Sequence, residues 1–70
     1  MNVGDKVWII KQGHSFYRKA GIIDNYKGNY FLPYLVSLVN DPGQYDGFKE
    51  YELKLYIPVE MPEYFKIIAK

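Results

Sequence analysis

Two β-prone segments, one near each end of the chain, constrain the fold more than any other feature. Residues 3–10 read Val-Gly-Asp-Lys-Val-Trp-Ile-Ile, a second apolar run stands at 20–23, and residues 47–56 read Gly-Phe-Lys-Glu-Tyr-Glu-Leu-Lys-Leu-Tyr. Turn-forming residues separate the apolar runs at intervals of about eight to twelve residues, without the long helical crossovers that parallel strands need. This spacing is typical of a small all-β barrel that the two end segments open and close.

The chain of 70 residues is long enough for one domain and contains no cysteine. A domain of this size buries only about 60% of the surface that its unfolded chain exposes. Neither a disulfide nor a thiolate metal site can add to its stability. Stability therefore depends on packing, and the composition suits this demand, since 49% of the residues are hydrophobic and 19% are aromatic.

The turn signals divide residues 1–57 into five predicted strands. Pro33 cannot donate a hydrogen bond to a sheet, so it marks an edge or the true start of the third strand. Beyond it Tyr34, Val36 and Leu38 alternate with a set that includes Ser37, and we assign the first three side chains to the core. The predicted strands are 6–11, 20–26, 30–39, 48–51 and 54–57, with a long loop at 40–47 and one helical turn at 50–53.

Residues 58–70 form a separate C-terminal appendage in this prediction. Pro58 ends the barrel, and Pro62 stands where a first helical turn could begin. Four residues follow the i, i+3, i+4, i+7 spacing of one helix face, namely Met61, Tyr64, Phe65 and Ile68. Because so short a helix is unstable alone, we expect this face to dock on the barrel, on a second copy to form a homodimer, or on a partner.

Several motifs match a known superfamily. The chain has Gly-Asp-Lys-Val at 4–7, Phe-Tyr-Arg at 16–18, Ala-Gly-Ile-Ile at 20–23, Leu-Pro-Tyr-Leu-Val-Ser-Leu at 32–38, and a closing Phe-x-Glu-x-Glu-Leu at 48–53. In this order they resemble the SH3-like small β-barrel superfamily, and within it the PsaE-type subunit of photosystem I and the KOW-like barrels. The resemblance implies an SH3-like fold and a habit of docking onto larger assemblies. It does not imply a photosynthetic role, because the loop at 41–46 and the appendage depart from the PsaE pattern.

The first candidate binding surface is the loop after the first strand. Phe16 and Tyr17 offer stacking surface there, while Arg18 and Lys19 offer positive charge. Tyrosine and arginine are enriched at protein-binding hot spots, and Tyr45 in the second long loop is expected to rim the same face. The alternative is that Phe16 folds back over the open end of the barrel and that the charged side chains are only solvated.

Trp8 is the second candidate. Its neighbours Val7 and Ile9 take core positions by alternation, so Trp8 points to the opposite face of the strand. A tryptophan in that position is a good anchor for a partner. The alternative is that the C-terminal appendage covers it, since the appendage needs a docking surface.

Nucleic-acid binding of the KOW-like kind is an alternative function. Tyr26, Lys27 and Tyr30 flank the turn at 25–29, and with Arg18 and Lys19 they would combine rings for base stacking with charge for phosphates. Cross-strand pairing of the same rings, which would hold the hairpin together, is the simpler interpretation. The formal net charge of +1 favours a protein partner, since affinity for nucleic acid depends largely on Lys and Arg contacts to phosphates.

No combination of residues in the sequence indicates catalysis or metal binding. His14 is the one histidine and has no cysteine to accompany it, so a transition-metal site is not expected. No pair of nucleophile and base can be recognised, and a small barrel offers little depth for a cleft. We therefore predict a non-catalytic accessory or regulatory module without a cofactor, which docks onto a protein partner; nucleic-acid binding and self-association are the alternatives.

The cellular setting is constrained only loosely. The sequence shows no basic-then-apolar leader pattern and no apolar run long enough to cross a bilayer. The lack of cysteine fits a reducing compartment, so we expect a cytoplasmic protein. The style of the sequence suggests a phage or mobile-element product.

Overall fold

The strands of this protein all run antiparallel to their neighbours in one sheet. The computed structural model describes residues 1–56. The strands are β1 (Lys6–Ile9), β2 (Ala20–Tyr26), β3 (Tyr34–Leu38), β4 (Tyr45–Phe48) and β5 (Leu53–Leu55), and a short 3₁₀ helix, Glu50–Glu52, precedes β5. Their order across the sheet is β4-β3-β2-β1-β5. The predicted all-β class is confirmed, whereas the predictions for the appendage at 58–70 lie outside the described residues.

Only β2 has the predicted boundaries. β1 ends at Ile9 rather than at 11, β5 begins at Leu53 rather than at 54, and the larger differences are in β3 and β4. β3 begins directly after Pro33, so the residues that precede the proline belong to a loop. β4 starts at Tyr45 rather than at 48, because its register pairs Tyr45 with Ser37 and extends the β3–β4 hairpin back to that point. The predicted loop at 40–47 is shorter as a result. The helical turn predicted at 50–53 is confirmed as the 3₁₀ helix. It includes residues 50 and 51, which the sequence places in the fourth strand.

The sheet does not close into a barrel. β4 and β5 are its two edges, and no ladder joins them within the part of the chain that the structure describes. Lys49 and the 3₁₀ helix carry the chain from one edge strand to the other. In the described residues β4 pairs only with β3, and β5 only with β1.

A single hydrophobic core nevertheless draws on every strand. Val7, Ile9, Ile23, Val36 and Phe48 are the largest side chains that are fully buried. The predicted inward set of β3, Tyr34, Val36 and Leu38, is confirmed, and Leu53 of β5 joins the same cluster. Because residues from both edge strands meet in one cluster, the sheet must curl around it, with its outer face left for other contacts.

Gly21 allows β1, β2 and β3 to approach closely. A β-carbon at this position would lie 2.5 Å from Cγ1 of Val36 and 2.8 Å from the carbonyl oxygen of Ser37. Contacts under 3 Å are not tolerated by real side chains, so only glycine fits here without a shift of the neighbouring strand. The position therefore serves packing, and it places the outer residues of β1 and β2 side by side.

Candidate functional site

An open groove of about 570 Å³ lies on the outer face of β1 and β2. Trp8 and Ala20 face outward here because their neighbours Val7 and Gly21 face the core, and the two outward residues are directly paired across the strands. We call this surface the Trp8 groove. It is lined by Lys6, Trp8, Arg18, Lys19, Ala20, Leu38, Val39, Asn40, Asp41, Gln44 and Tyr56.

One wall of the Trp8 groove is a stack of two rings and one cation. The rings of Trp8 and Tyr56 lie 4.9 Å apart between centroids, tilted by 30°. The ammonium of Lys6 lies 4.1 Å from the centroid of the Tyr56 ring, within cation–π range. The stack holds the indole half-buried at the groove wall rather than loose in solvent.

Arg18 enters the groove from a β-bulge in the loop after β1. Its φ is 71°, and it is the one non-glycine residue in the left-handed region among residues 1–56. The Arg18 amide donates to the carbonyl of Ile9 at 2.9 Å, and the Ile9 amide donates to the carbonyl of Lys19 at 3.0 Å. Arg18 and Lys19 thus oppose one residue of β1, and the first position of such a bulge normally holds glycine.

Phe16 is not part of the exposed surface. Its side chain is only 6% exposed and belongs to the core cluster, so the interpretation in which Phe16 folds back over the core is the one the structure shows. The His14 ring packs against it and against Phe48, with centroids 4.8 and 4.9 Å away. The neighbouring Tyr17 is half-buried.

His14 ties the β1–β2 loop to β4. Its Nδ1 accepts a hydrogen bond from the Phe16 amide at 2.9 Å, so Nδ1 carries no proton and Nε2–H is free to donate. Nε2 donates to the Asp46 carboxylate at 2.7 Å. This hydrogen bond, with a second one from the Gly47 amide and the charge of Lys11, holds the pKa of Asp46 below its ordinary value of 3.8.

The other sequence-predicted residues lie apart from the Trp8 groove. Tyr45 is 64% exposed on edge strand β4 and is not a lining residue. Lys27 and Tyr30 line a separate pocket of about 180 Å³ near the β2–β3 loop. Tyr26 pairs with Tyr34 across the hairpin at 4.8 Å between ring centroids. The proposed nucleic-acid set is therefore divided, with Arg18 and Lys19 in one place and the tyrosines and Lys27 in another.

Sequence reasoning missed several lining residues. Alternation along β1 gives Lys6 the same outward direction as Trp8, so strand periodicity could have included it. Tyr56 follows the fifth strand. Its position beside Trp8 depends on the β1–β5 register, which pairs Trp8 with Lys54. Asp41 and Gln44 reach the groove through the β3–β4 loop, whose course no sequence pattern indicated.

Known proteins add no direct identification. No protein-family model and no curated protein matches the chain. Within residues 1–56 no group of three or more His, Cys, Asp and Glu side chains could hold a metal ion. The same part of the chain contains no helix of the length and apolar character needed to cross a membrane.

Proposed function

We propose that the chain is a non-catalytic binding module of the SH3-like type, which docks onto a protein partner through the Trp8 groove. The strand order supports the SH3-like part of this proposal, since the two edge strands, β4 and β5, flank a central β1-β2-β3 meander and a 3₁₀ helix connects them in the chain. This is the arrangement expected from the resemblance in the order of motifs. The fold alone assigns no partner.

The lining of the Trp8 groove defines the chemistry of that partner. Three cationic side chains, Lys6, Arg18 and Lys19, face a single acidic one, Asp41. Beside them the stacked rings of Trp8 and Tyr56 offer an apolar wall. Aromatic and arginine side chains are the usual anchors of protein interfaces. A segment with acidic residues around one apolar side chain matches both properties of the groove.

The observation that carries the proposal is the backbone of Arg18. A left-handed conformation costs a residue with a β-carbon roughly 1–2 kcal/mol relative to glycine, and the bulge would form at lower cost with glycine in this place. Strained residues of this kind concentrate at functional sites. We infer that this position contributes through the Arg18 side chain, which lines the groove together with Trp8.

The experiment is capture of a partner from the native host by the full chain, followed by titration of the purified partner. Arg18→Ala and Lys19→Ala are the test variants. Lys54→Ala is the matched control, because it also removes one positive charge. Lys54 is exposed and paired with Trp8 across β5 and β1, but it is not a lining residue of the groove. We expect each test variant to weaken binding about tenfold and the control to change it less than twofold. Equal binding by all four proteins would show that the groove is not the docking site.

A further inference from the structure

A second cluster of exposed rings and lysines lies on the β2–β3 loop and the 3₁₀ helix. Phe31 is 79% exposed, Tyr51 74% and Tyr30 59%. Each ring has an ammonium within cation–π range: Lys49 Nζ lies 4.0 Å from the centroid of Phe31 and 5.9 Å from that of Tyr51. Lys27 Nζ lies 5.8 Å from the centroid of Tyr30. We call these five residues the ring platform.

The platform consists of two ring–ammonium groups that are adjacent in the chain. Tyr30 and Phe31 are consecutive, and Lys49 connects Phe31 of the loop to Tyr51 of the 3₁₀ helix. The loop is packed against β4, since a β-carbon on Gly47 would lie 2.9 Å from Cβ of Leu32. The pocket of about 180 Å³ opens beside Lys27 and Tyr30 over the apolar side chains of Leu32, Pro33 and Leu35.

Core packing does not account for these rings. Aromatic side chains contribute to stability by burying most of their area, and Phe31 and Tyr51 leave about three quarters of theirs in solvent. Neither Lys27 nor Lys49 forms an ion pair with any residue in the range 1–56. The rings and the charges are thus both available to a ligand.

We propose that the ring platform binds single-stranded nucleic acid. A single strand offers flat bases to the rings and a phosphate between successive bases to each ammonium. The platform supplies both kinds of group, since every ring has an ammonium within 5.9 Å of its centroid. Stacking of this kind is tolerant of sequence, because every base has a π face. An acidic peptide supplies charges that suit the lysines but has no flat groups at regular spacing for three separate rings.

The near-neutral charge of the chain predicts that this binding depends only weakly on salt concentration. Only two lysines belong to the platform, so stacking supplies most of the affinity. Two phosphate contacts predict a slope of about −1.4 in log K against log salt concentration, much shallower than for proteins that bind through many basic residues. This inference is independent of the Trp8 groove, which lies on the outer face of β1 and β2.

The test is fluorescence anisotropy with a labelled oligothymidylate and the full chain at low salt. We expect Phe31→Ala and Tyr51→Ala each to weaken binding about tenfold. Tyr45→Ala is the matched control, since it removes an exposed ring outside the platform. Lys49→Ala is expected to reduce the salt slope by about 0.7, and Lys54→Ala to leave it nearly unchanged. Thermal unfolding of each variant shows that the fold persists, as the high exposure of the mutated rings predicts.

Three results would overturn the proposal. The first is that the oligonucleotide does not bind at low salt. The second is that the wild type and both ring variants bind it equally well. The third is that Phe31→Ala loses binding to an acidic peptide but keeps binding to the oligonucleotide. The two proposed sites can fail separately. Arg18→Ala is expected to change partner capture and not base stacking, while Phe31→Ala is expected to do the reverse.

Discussion

At the scale of single residues, Arg18 stands where the backbone conformation favours glycine, whereas Gly21 stands where the packing requires it. Arg18 adopts a left-handed conformation that favours glycine, so its backbone is strained. Gly21 has ordinary backbone geometry, but a β-carbon at its position would collide with Val36 and with the carbonyl of Ser37. The proposed docking role would explain the first position, and packing explains the second.

Comparison of Arg18→Gly with Arg18→Ala isolates the strain at this bulge. Both substitutions remove the same side chain, so only the conformational preference of the backbone differs between them. Because glycine enters the left-handed region freely, we expect Arg18→Gly to be more stable than Arg18→Ala by about 1 kcal/mol. Urea unfolding at equilibrium measures the difference. If the alanine variant were the more stable, as it is at ordinary backbone positions, the strain assigned to Arg18 would be absent.

Gly21→Ala tests the close approach of β2 to β3. The new methyl group would meet both the side chain of Val36 and the backbone oxygen of Ser37, and overpacking of a well-packed core costs about 1–3 kcal/mol. We expect a loss of at least about 2 kcal/mol, because the backbone atom cannot move out of the way as a side chain can. Gly43→Ala is the control, since the nearest atom to its β-carbon would be the Asp41 carboxylate at 3.8 Å. Equal stability of the two variants would contradict this account.

At the scale of secondary-structure elements, Glu52 joins the 3₁₀ helix to the loop after β1. Its Oε1 accepts a hydrogen bond from the Lys49 amide at 2.8 Å, which caps the helix. Its Oε2 lies 3.3 Å from the ammonium of Lys11. The carbonyl of Glu52 also accepts from the Ile10 amide at 2.9 Å. Side chain and backbone together therefore fix the start of the loop that carries Arg18.

Substitution of Glu52 separates the cap from the ion pair. Glu52→Gln retains an oxygen for the Lys49 amide and loses the charge that faces Lys11, whereas Glu52→Ala loses both. We expect a destabilisation of about 2 kcal/mol for alanine and about 1 kcal/mol or less for glutamine. Chemical denaturation checks both values. A glutamine variant as unstable as the alanine variant would mean that the ion pair, and not the cap, holds the helix.

The elements were predictable from sequence where local chemistry sets them. Alternation identified the inward residues Tyr34, Val36 and Leu38, and the turn residues bounded β2 correctly. The start of β4 was placed wrongly because it depends on the pairing of Tyr45 with Ser37. Polar residues such as Gln44 and Asp46 look like loop by composition, and only the neighbouring strand decides that some of them extend the hairpin.

At the scale of the whole molecule, the sheet determines which candidate residues meet. One groove is lined by Trp8, Arg18 and Lys19, although Trp8 lies in a different segment of the chain from the other two. They meet because β1 pairs with β2 and the bulge turns Arg18 toward the groove. Phe16, from the same loop as Arg18, packs in the hydrophobic core instead. An aromatic residue in a loop has no sequence signal that tells a lid from a binding ring. That choice depends on how much core surface the strands leave uncovered.

At the same scale, the contact between His14 and Asp46 links the β1–β2 loop to edge strand β4. The hydrogen bond from His14 is the main cause of the lowered pKa of Asp46. A carboxyl group whose pKa is lower in the folded state stabilises the fold above its unfolded-state pKa. This contribution is lost as the pH falls through the lower, folded-state value.

We therefore expect the free energy of unfolding to fall as the pH drops below 3.8, the ordinary pKa of Asp46, and the Asp46→Asn variant to lose less over the same range. At neutral pH the variant should be the less stable protein, and the two curves should converge in acid. Urea unfolding at a series of pH values measures both curves. Asp24→Asn is the control, because the Asp24 carboxylate has no hydrogen-bond or ion-pair partner within residues 1–56. Parallel curves for the wild type and Asp46→Asn would show that the His14–Asp46 contact does not stabilise the fold.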